Sequence, residues 1–277
     1  MGLRINTNVT SLGAQRNLST VRKNQESSLE KLSSGNRINK AGDDAAGLAI
    51  SEKLKASIRG TAQASRNAGD GISLIQTAEG GLNEASNILI RLRELSIQSA
   101  SDTVGEQERK FSDLEFQTLK QEMKRIADST QFNGKDLLKG EGDRLDFQIG
   151  ILNNPDNDRL SYDPSLINST PENMGIDGLN VLTKEDSQTN LEGIDTAINQ
   201  VNESRARLGA FQNRLQSTIS NLEVQKENLA AANSRIRDTD IAIETSNLTK
   251  SNILMASSTS VLAQANASGQ QALKLIA

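Results

Sequence analysis

The chain of 277 residues contains no cysteine, no histidine and no tryptophan, and it has only one tyrosine, five phenylalanines and three prolines. Without thiol or imidazole it lacks the commonest nucleophile and base, and the ligands that most zinc sites use. A non-enzymatic protein without cofactor or metal is therefore expected. Aromatic side chains fill wide interiors, so a chain resting on Leu, Ile and Ala points to narrow seams between helices. Thirty-one basic and 35 acidic residues leave a net charge of −4 spread along the chain, with no basic run of the kind that tracks nucleic acid. No apolar run approaches the roughly 20 residues of a membrane span, so no membrane insertion is expected. Met1 to Thr10 lacks the apolar core of a signal peptide, and any export is expected to proceed without a cleaved leader of that kind.

Pro155, Pro164 and Pro171 fall within seventeen residues, leaving a long proline-free arm on either side. Because proline breaks helices, this distribution predicts a helical arm, an irregular middle and a second helical arm. In the first arm Val9, Leu12, Leu18, Val21, Leu29 and Leu32 make a stripe close to heptad spacing, with polar interruptions. Gly35 suits the left-handed position beyond a helix C-terminus, and the chain to Gly42 reads as a connector. Asp43 or Asp44 suits the N-terminus of a second helix, where a carboxylate accepts from free amides; capping accounts for this acidic pair without a catalytic or metal role. That helix is predicted to run to about Ala100. Its seam is Ala68, Ile72, Ile75, Ala78, Leu82, Ala85, Leu89 and Leu92. Gly69, Gly71, Gly80 and Gly81 within it are tolerable where neighbours approach closely. Thr103 and Glu106 read as a capping box opening a third helix, with the seam Phe116, Leu119, Met123 and Ile126.

Between Asn133 and Lys184 the periodicity changes. Leu145, Phe147 and Ile149 alternate with polar residues as in a half-buried strand, and Leu160 to Asp163 read as its returning partner, so a β-hairpin region is expected at about 140–180. Asp156 and Asp158 lie in the turn between them; a calcium loop would need a Gly at its sixth position and a Glu at its twelfth, and neither is there.

From Leu191 alternating steps of three and four lead through Ile194, Ile198, Val201, Leu208, Leu215, Ile219, Leu222 and Leu229 to Ile236, a helix of roughly 70 Å. The same phase continues onto Asp240, Ile243, Asn247 and Lys250, while a new stripe of interval seven starts at Ile241 and passes through Leu248, Met255, Leu262 and Ile276. The stripe has changed face, which predicts a change of packing partner near Arg237 to Asp240. The expected fold is mainly α: a long coiled-coil helical rod with a small β-hairpin region, its N- and C-termini paired in a terminal helical domain. The predicted divisions are 1–42 and 237–277 for the two halves of that terminal domain, and 43–236 for the central rod. Both terminal seams are interrupted by polar residues and bury too little apolar surface to be ordered alone.

A series of short motifs resembles the bacterial flagellins: Ile5-Asn6-Thr7-Asn8, Leu32-Ser33-Ser34-Gly35, Asp43-Asp44-Ala45-Ala46-Gly47, Ala64-Ser65-Arg66-Asn67, Asp70-Gly71-Ile72-Ser73, Arg93-Glu94-Leu95, Gln131-Phe132-Asn133-Gly134, and Ser260-Val261-Leu262-Ala263-Gln264-Ala265-Asn266. They run through both arms in order. The resemblance implies a structural subunit that polymerises into the flagellar filament for motility, with the terminal helices innermost and the rod around them. It implies a short form, since Asp177-Gly178-Leu179-Asn180 leads almost directly to the second arm where longer members insert outer domains. A flagellin-like hook-filament junction protein is the alternative. A peptidase of the His-Glu-x-x-His kind, carried by some members, is excluded by the absence of His.

By the same resemblance the partners are other copies of the chain in a helical homopolymer, hook-associated and cap proteins, and an export chaperone on the C-terminal helix. The location implied is the extracellular filament, reached through the flagellar type III apparatus. The polymerisation seam is expected at Leu12, Leu18, Val21, Leu29, Leu32, Ile241, Leu248, Met255, Leu262 and Ile276. A Toll-like flagellin receptor is expected to dock at Arg91, Leu95 and Glu115, next to Ile90, where the family pattern has a polar Gln.

Overall fold

The computed structural model describes the backbone of residues 7–274 and the side chains of residues 7–267. Its elements are α1 (Val9–Ser34), α2 (Ala45–Ser99), α3 (Glu106–Ser129), β1 (Gln131–Phe132), β2 (Lys135–Asp136), β3 (Leu145–Gln148), the single turn α4 (Pro155–Asp158), β4 (Arg159–Tyr162), α5 (Lys184–Arg237) and α6 (Ile241–Lys274). Two compact units divide the chain: one holds the residues up to Ser57 and from Asn228 onward, the other Ile58–Glu227. The breaks in helix fall at the connectors 35–44 and 238–240, near the expected divisions at 42/43 and 236/237. The compact units instead divide further along α2 and α5.

In the unit that holds the chain ends, α1 pairs with α6. Asn8 caps α1 by accepting from the Ser11 amide at 3.0 Å, Asp240 caps α6 by accepting from Ile243 N at 3.1 Å, and Gly35 ends α1 at φ 70°. The two connectors are tied to each other through backbone groups. Asn36 and Asp238 form an antiparallel bridge, Arg37 N donates to Arg237 O at 2.6 Å, and Thr239 N donates to Gly35 O at 2.9 Å. Orphan carbonyls at the end of one helix thus satisfy donors beside the end of another. Both members of the acidic pair have local work: Asp44 Oδ1 accepts from Gly47 N at 2.8 Å and caps α2, while Asp43 Oδ2 accepts from Asn39 N at 3.0 Å and Lys40 N at 2.9 Å. Ile38 is the connector's buried anchor; a Cβ on Gly47 would lie 2.8 Å from its Cδ1, so the last residue of Asp43-Asp44-Ala45-Ala46-Gly47 has to be small. Arg237 reaches Glu52 at 2.5 Å, and Ser51 donates to Asn233 at 2.9 Å.

In the second unit the predicted seam of α2 is the core: Ala68, Ile75, Ala78, Leu82, Ala85, Leu89 and Leu92 are buried, with Ile72 packed against them. Phe116 and Met123 from α3 and Ile194, Val201, Leu208 and Leu215 from α5 join the same core. Arg93 bridges to Asp195 at 2.7 Å, linking α2 to α5. The strand pair is as expected: β3 and β4 are antiparallel, Phe147 opposite Leu160 and Leu145 opposite Tyr162. Phe147 and Tyr162 both stack at a tilt on Phe211 of α5, with ring centroids 6.3 and 6.0 Å apart.

Two local features differ from the sequence reading. The start of α3 lies two residues later than a capping box of Thr103 and Glu106 would put it: Gly105 is the N-cap, with no side chain to accept, and its amide donates to Glu108 at 2.5 Å. Ser101 takes Thr103 as its own partner, and Arg109 donates to the Ser99 and Ser101 carbonyls at 2.9 and 3.0 Å, which carries the turn past Thr103 before α3 begins. In addition, β1 and β2 form a hairpin whose turn, Asn133-Gly134, has positive φ at both residues (51° and 73°). This Asn-Gly pair is a strong hairpin signal in its own right.

Candidate assembly surfaces

The α1/α6 pair is built partly inside out. Its facing positions on α6 are Glu244, Leu248, Ser251, Met255, Ser258, Leu262 and Ala265, and on α1 Ser11, Ala14, Leu18, Val21, Gln25 and Ser28. Small and polar residues dominate that seam, and hydrogen bonds cross it. The Ser11 hydroxyl donates to Asn266 at 2.8 Å, Asn8 Nδ2 to the Ala265 carbonyl at 2.8 Å, Gln25 to Asn252 at 2.7 Å, and Ser28 to Glu244 at 2.5 Å. Leu18, Val21, Leu248, Met255 and Leu262 lie within the seam, but a second set of large apolar side chains points the other way. Val9, Leu12 and Leu29 on α1, and Ile241, Ile243, Ile253, Leu254 and Val261 on α6, are all exposed, Ile253 at 65% and Val9 at 63%. Ile253 and Leu254 also wall a shallow groove with Thr245, Thr249 and Lys250.

The ten positions expected to make one seam are thereby separated. Leu18, Val21, Leu32, Leu248, Met255 and Leu262 are half-buried, whereas Leu12, Leu29 and Ile241 are exposed. Ile276 lies outside the described residues. The sequence reading did not single out Ile243, Leu254 and Val261 as one surface, yet they continue the three-four phase of the α5 stripe across the break at Asp238–Asp240. That phase was the available signal. Ile253 lies outside it.

On α2 and α3, Arg91 Nε and Glu115 form an exposed ion pair at 2.8 Å, and Arg91 also reaches Glu94 at 2.9 Å. Hydrogen bonds to Glu115 and then Glu94 push the Arg91 pKa upward. Ile90 beside them is exposed. Leu95 is not part of that surface: at 2% exposure it belongs to the core, supporting α2 from behind. Further along α3, Phe111 and Leu114 are exposed at 66% and 70%. No group of three or more acidic residues among the described residues is arranged to hold a metal, and no described helix is long and apolar enough to cross a membrane.

The family model of the bacterial flagellin N-terminal helical region matches residues 5–143, and that of the bacterial flagellin C-terminal helical region matches residues 191–276. The chain belongs to the bacterial flagellin family. Flagellin of Halalkalibacterium halodurans is 45% identical, with 98% of this flagellin and 99% of that relative covered. Flagellin of Bacillus subtilis is 42% identical, covering 99% and 100%, and the flagellar filament 33 kDa core protein of Treponema phagedenis is 41% identical, covering 98% and 99%. Among solved structures, Bacillus cereus flagellin is 31% identical with a TM-score of 0.50, over 61% of this chain and 94% of that one. A putative flagellar hook-associated protein from Vibrio parahaemolyticus reaches a TM-score of 0.59 over 71% of this chain and 100% of that one; at 15% identity it shares the fold alone. The matched regions of this flagellin take in both arms of the α1/α6 pair and all of α2 and α3, and leave β3, α4 and β4 between them.

Proposed function

We infer that this flagellin is the structural subunit of a bacterial flagellar filament, joined to identical copies through the outer face of its α1/α6 pair. The partial inversion of that pair carries the reading. Ile and Val side chains left exposed among the described residues each forgo part of the roughly 1.5–3 kcal/mol of full burial, which a neighbouring copy supplies. Contacts between unlike faces of identical subunits that do not close into a ring propagate as an open helical polymer. The role is mechanical rather than catalytic, and the filament it builds is extracellular. Hook-associated and cap proteins bound that polymer at its ends. Before assembly, an export chaperone covers the apolar face of α6, and the chain passes the flagellar export apparatus as a thread, a passage that the absence of cysteine favours. Purified protein given a precipitant-formed seed is expected to grow filaments visible by electron microscopy. Ile253→Ser and Leu254→Ser together are expected to stop that growth while leaving the monomer's helical circular dichroism intact. Normal filaments from this variant would remove the outer face of α6 from the assembly contact.

Docking of a Toll-like flagellin receptor on the free monomer is a further part of this reading, carried by Arg91 and Glu115, with Leu95 setting the position of α2 from the core side. In a cell reporter assay, Arg91→Ala is expected to lose the response, and Ile90→Gln, which restores a hydrogen-bonding group beside it, to strengthen it. Equal responses from all three monomers would leave the Arg91–Glu115 pair a surface ion pair of little worth.

A further inference from the structure

Of the five phenylalanines, Phe116 is buried and Phe132, Phe147 and Phe211 pack against the core; Phe111 alone stands out in solvent. Leu114, three residues on and therefore beside it on the same face of α3, is as exposed. Two large apolar side chains side by side at about two-thirds exposure make a knob with nothing around it. The same unit carries a cavity of about 240 Å³, walled by Tyr162, Leu166, Ile167, Leu208 and Phe211, with Asp163 and Arg207 at its rim. That volume suits one large apolar side chain, and none of the described apolar groups fills it.

We propose that the cavity beside Phe211 receives Phe111 of a second copy of this chain, so that knob and hole on the same unit form a repeating contact along the filament. The proposal rests on the filament reading. Knob and hole are different surfaces, which makes the contact heterologous, the kind that can repeat along a filament. The charges agree. Lys110, next to the knob, makes no ion pair among the described residues, and Asp163 at the rim makes none either. Asp163 is held ionised below the usual carboxylate range by hydrogen bonds from the Ser165 hydroxyl and amide, with a smaller attraction from Arg144. Arg207 and Glu115, the neighbouring charges of opposite arrangement, are already satisfied within the chain by Glu203 and Arg91.

The absence of cysteine allows a direct test in the full chain. Gln107→Cys, one turn before the knob, and Leu166→Cys, at the cavity wall, are made as separate proteins; both positions are exposed, so neither disturbs the core. The two are copolymerised on seeds and treated with a short thiol-to-thiol cross-linker. Cross-linked dimers containing one of each variant are expected in filaments and not in the mixed monomers. Independently, Phe111→Ser is expected to raise the protein concentration needed for polymerisation by roughly tenfold or more. Lys110→Asp weakens polymerisation, and Asp163→Lys in the same chain restores it. Filaments that form without the mixed cross-link, and with Phe111→Ser at an unchanged critical concentration, overturn this contact and leave the filament reading standing. Failure of the unsubstituted chain to polymerise overturns both.

Discussion

At the scale of single residues, the chain's one tyrosine reports its own environment. Tyr162 is 5% exposed, its hydroxyl finds no hydrogen-bond partner within the described structure, and burial pushes its pKa up to about 12. The unfolded chain releases the phenolic proton near pH 10, whereas the folded chain holds it to about 12. Above pH 10 the folded state therefore binds more protons, and stability falls with rising pH; below pH 10 both states keep the proton and Tyr162 adds no pH dependence. The loss between pH 10 and pH 12 is on the order of 2 to 3 kcal/mol. Denaturant unfolding followed across that range should show it. Tyr162→Phe should flatten this part of the profile and, at neutral pH, leave stability unchanged or raise it by about 1 kcal/mol, since it removes an unsatisfied buried hydroxyl and keeps the ring against Phe211. A profile that Tyr162→Phe leaves unchanged would assign the alkaline sensitivity to the lysines instead. Lys120 is the other buried polar group of note. Desolvation pushes its pKa down, but its ammonium donates to Gln117 Oε1 and the Leu179 carbonyl, both at 3.0 Å, and to the Asp177 carbonyl. It thereby ties the chain before α5 to α3.

At the scale of elements, periodicity carried most of the reading. The three-four stripes of α2 and α5 are the residues that pack the core, because a helix can bury only one face and the spacing declares which. Gly35, Asp44 and the Leu145–Tyr162 strand pair were legible for the same reason, each being a residue type with one local job. Leu137, Leu138, Ile176 and Val181 were not. All four are fully buried, but they lie in irregular chain, where no period marks a face. Of the six glycines of α2, the four at 69, 71, 80 and 81 divide in a way the sequence alone does not show. A Cβ on Gly81 would come within 2.6 Å of Leu138 and 2.7 Å of Thr130, and one on Gly71 within 3.2 Å of Leu215, while Gly69 and Gly80 have open space. Gly81→Ala is expected to cost about 1–3 kcal/mol through overpacking, and its neighbour Gly80→Ala to add about 1 kcal/mol through helix propensity. Thermal unfolding of the monomer should move in opposite directions for these two substitutions. Shifts of one sign for both would mean that α2 adjusts freely at this point.

At the scale of the whole molecule, the two compact units differ in what holds them. The core of Ile58–Glu227 is aliphatic, continuous and complete within one chain. The α1/α6 pair has Ser11, Ser28 and Ser251 where a self-sufficient pair would have Leu, and Val9, Ile241, Ile243, Ile253 and Val261 face outward. Ordering each residue of such a pair opposes roughly 1–2 kcal/mol of backbone entropy, against which a seam of small and polar side chains returns little. Helix formation there is accordingly expected to depend on neighbouring copies covering the outer face. Limited proteolysis of the monomer should remove both ends and stop in or near the connectors, leaving a fragment of roughly Gly42 to Arg237 that contains all of the second unit. The same protease on filaments should leave α1 and α6 uncut, since their backbone is then held by burial on both faces. Leu262→Ala separates this coupling from the fold of the centre. Leu262 is half-buried against α1, so its truncation weakens a pair that is marginal already. The monomeric fragment and its unfolding midpoint should be unchanged, while filaments should fail to form or should dissociate at lower temperature. Monomer ends that resist protease as well as the centre does would show that the pair is stable without other copies, and would overturn this coupling of helix formation to assembly.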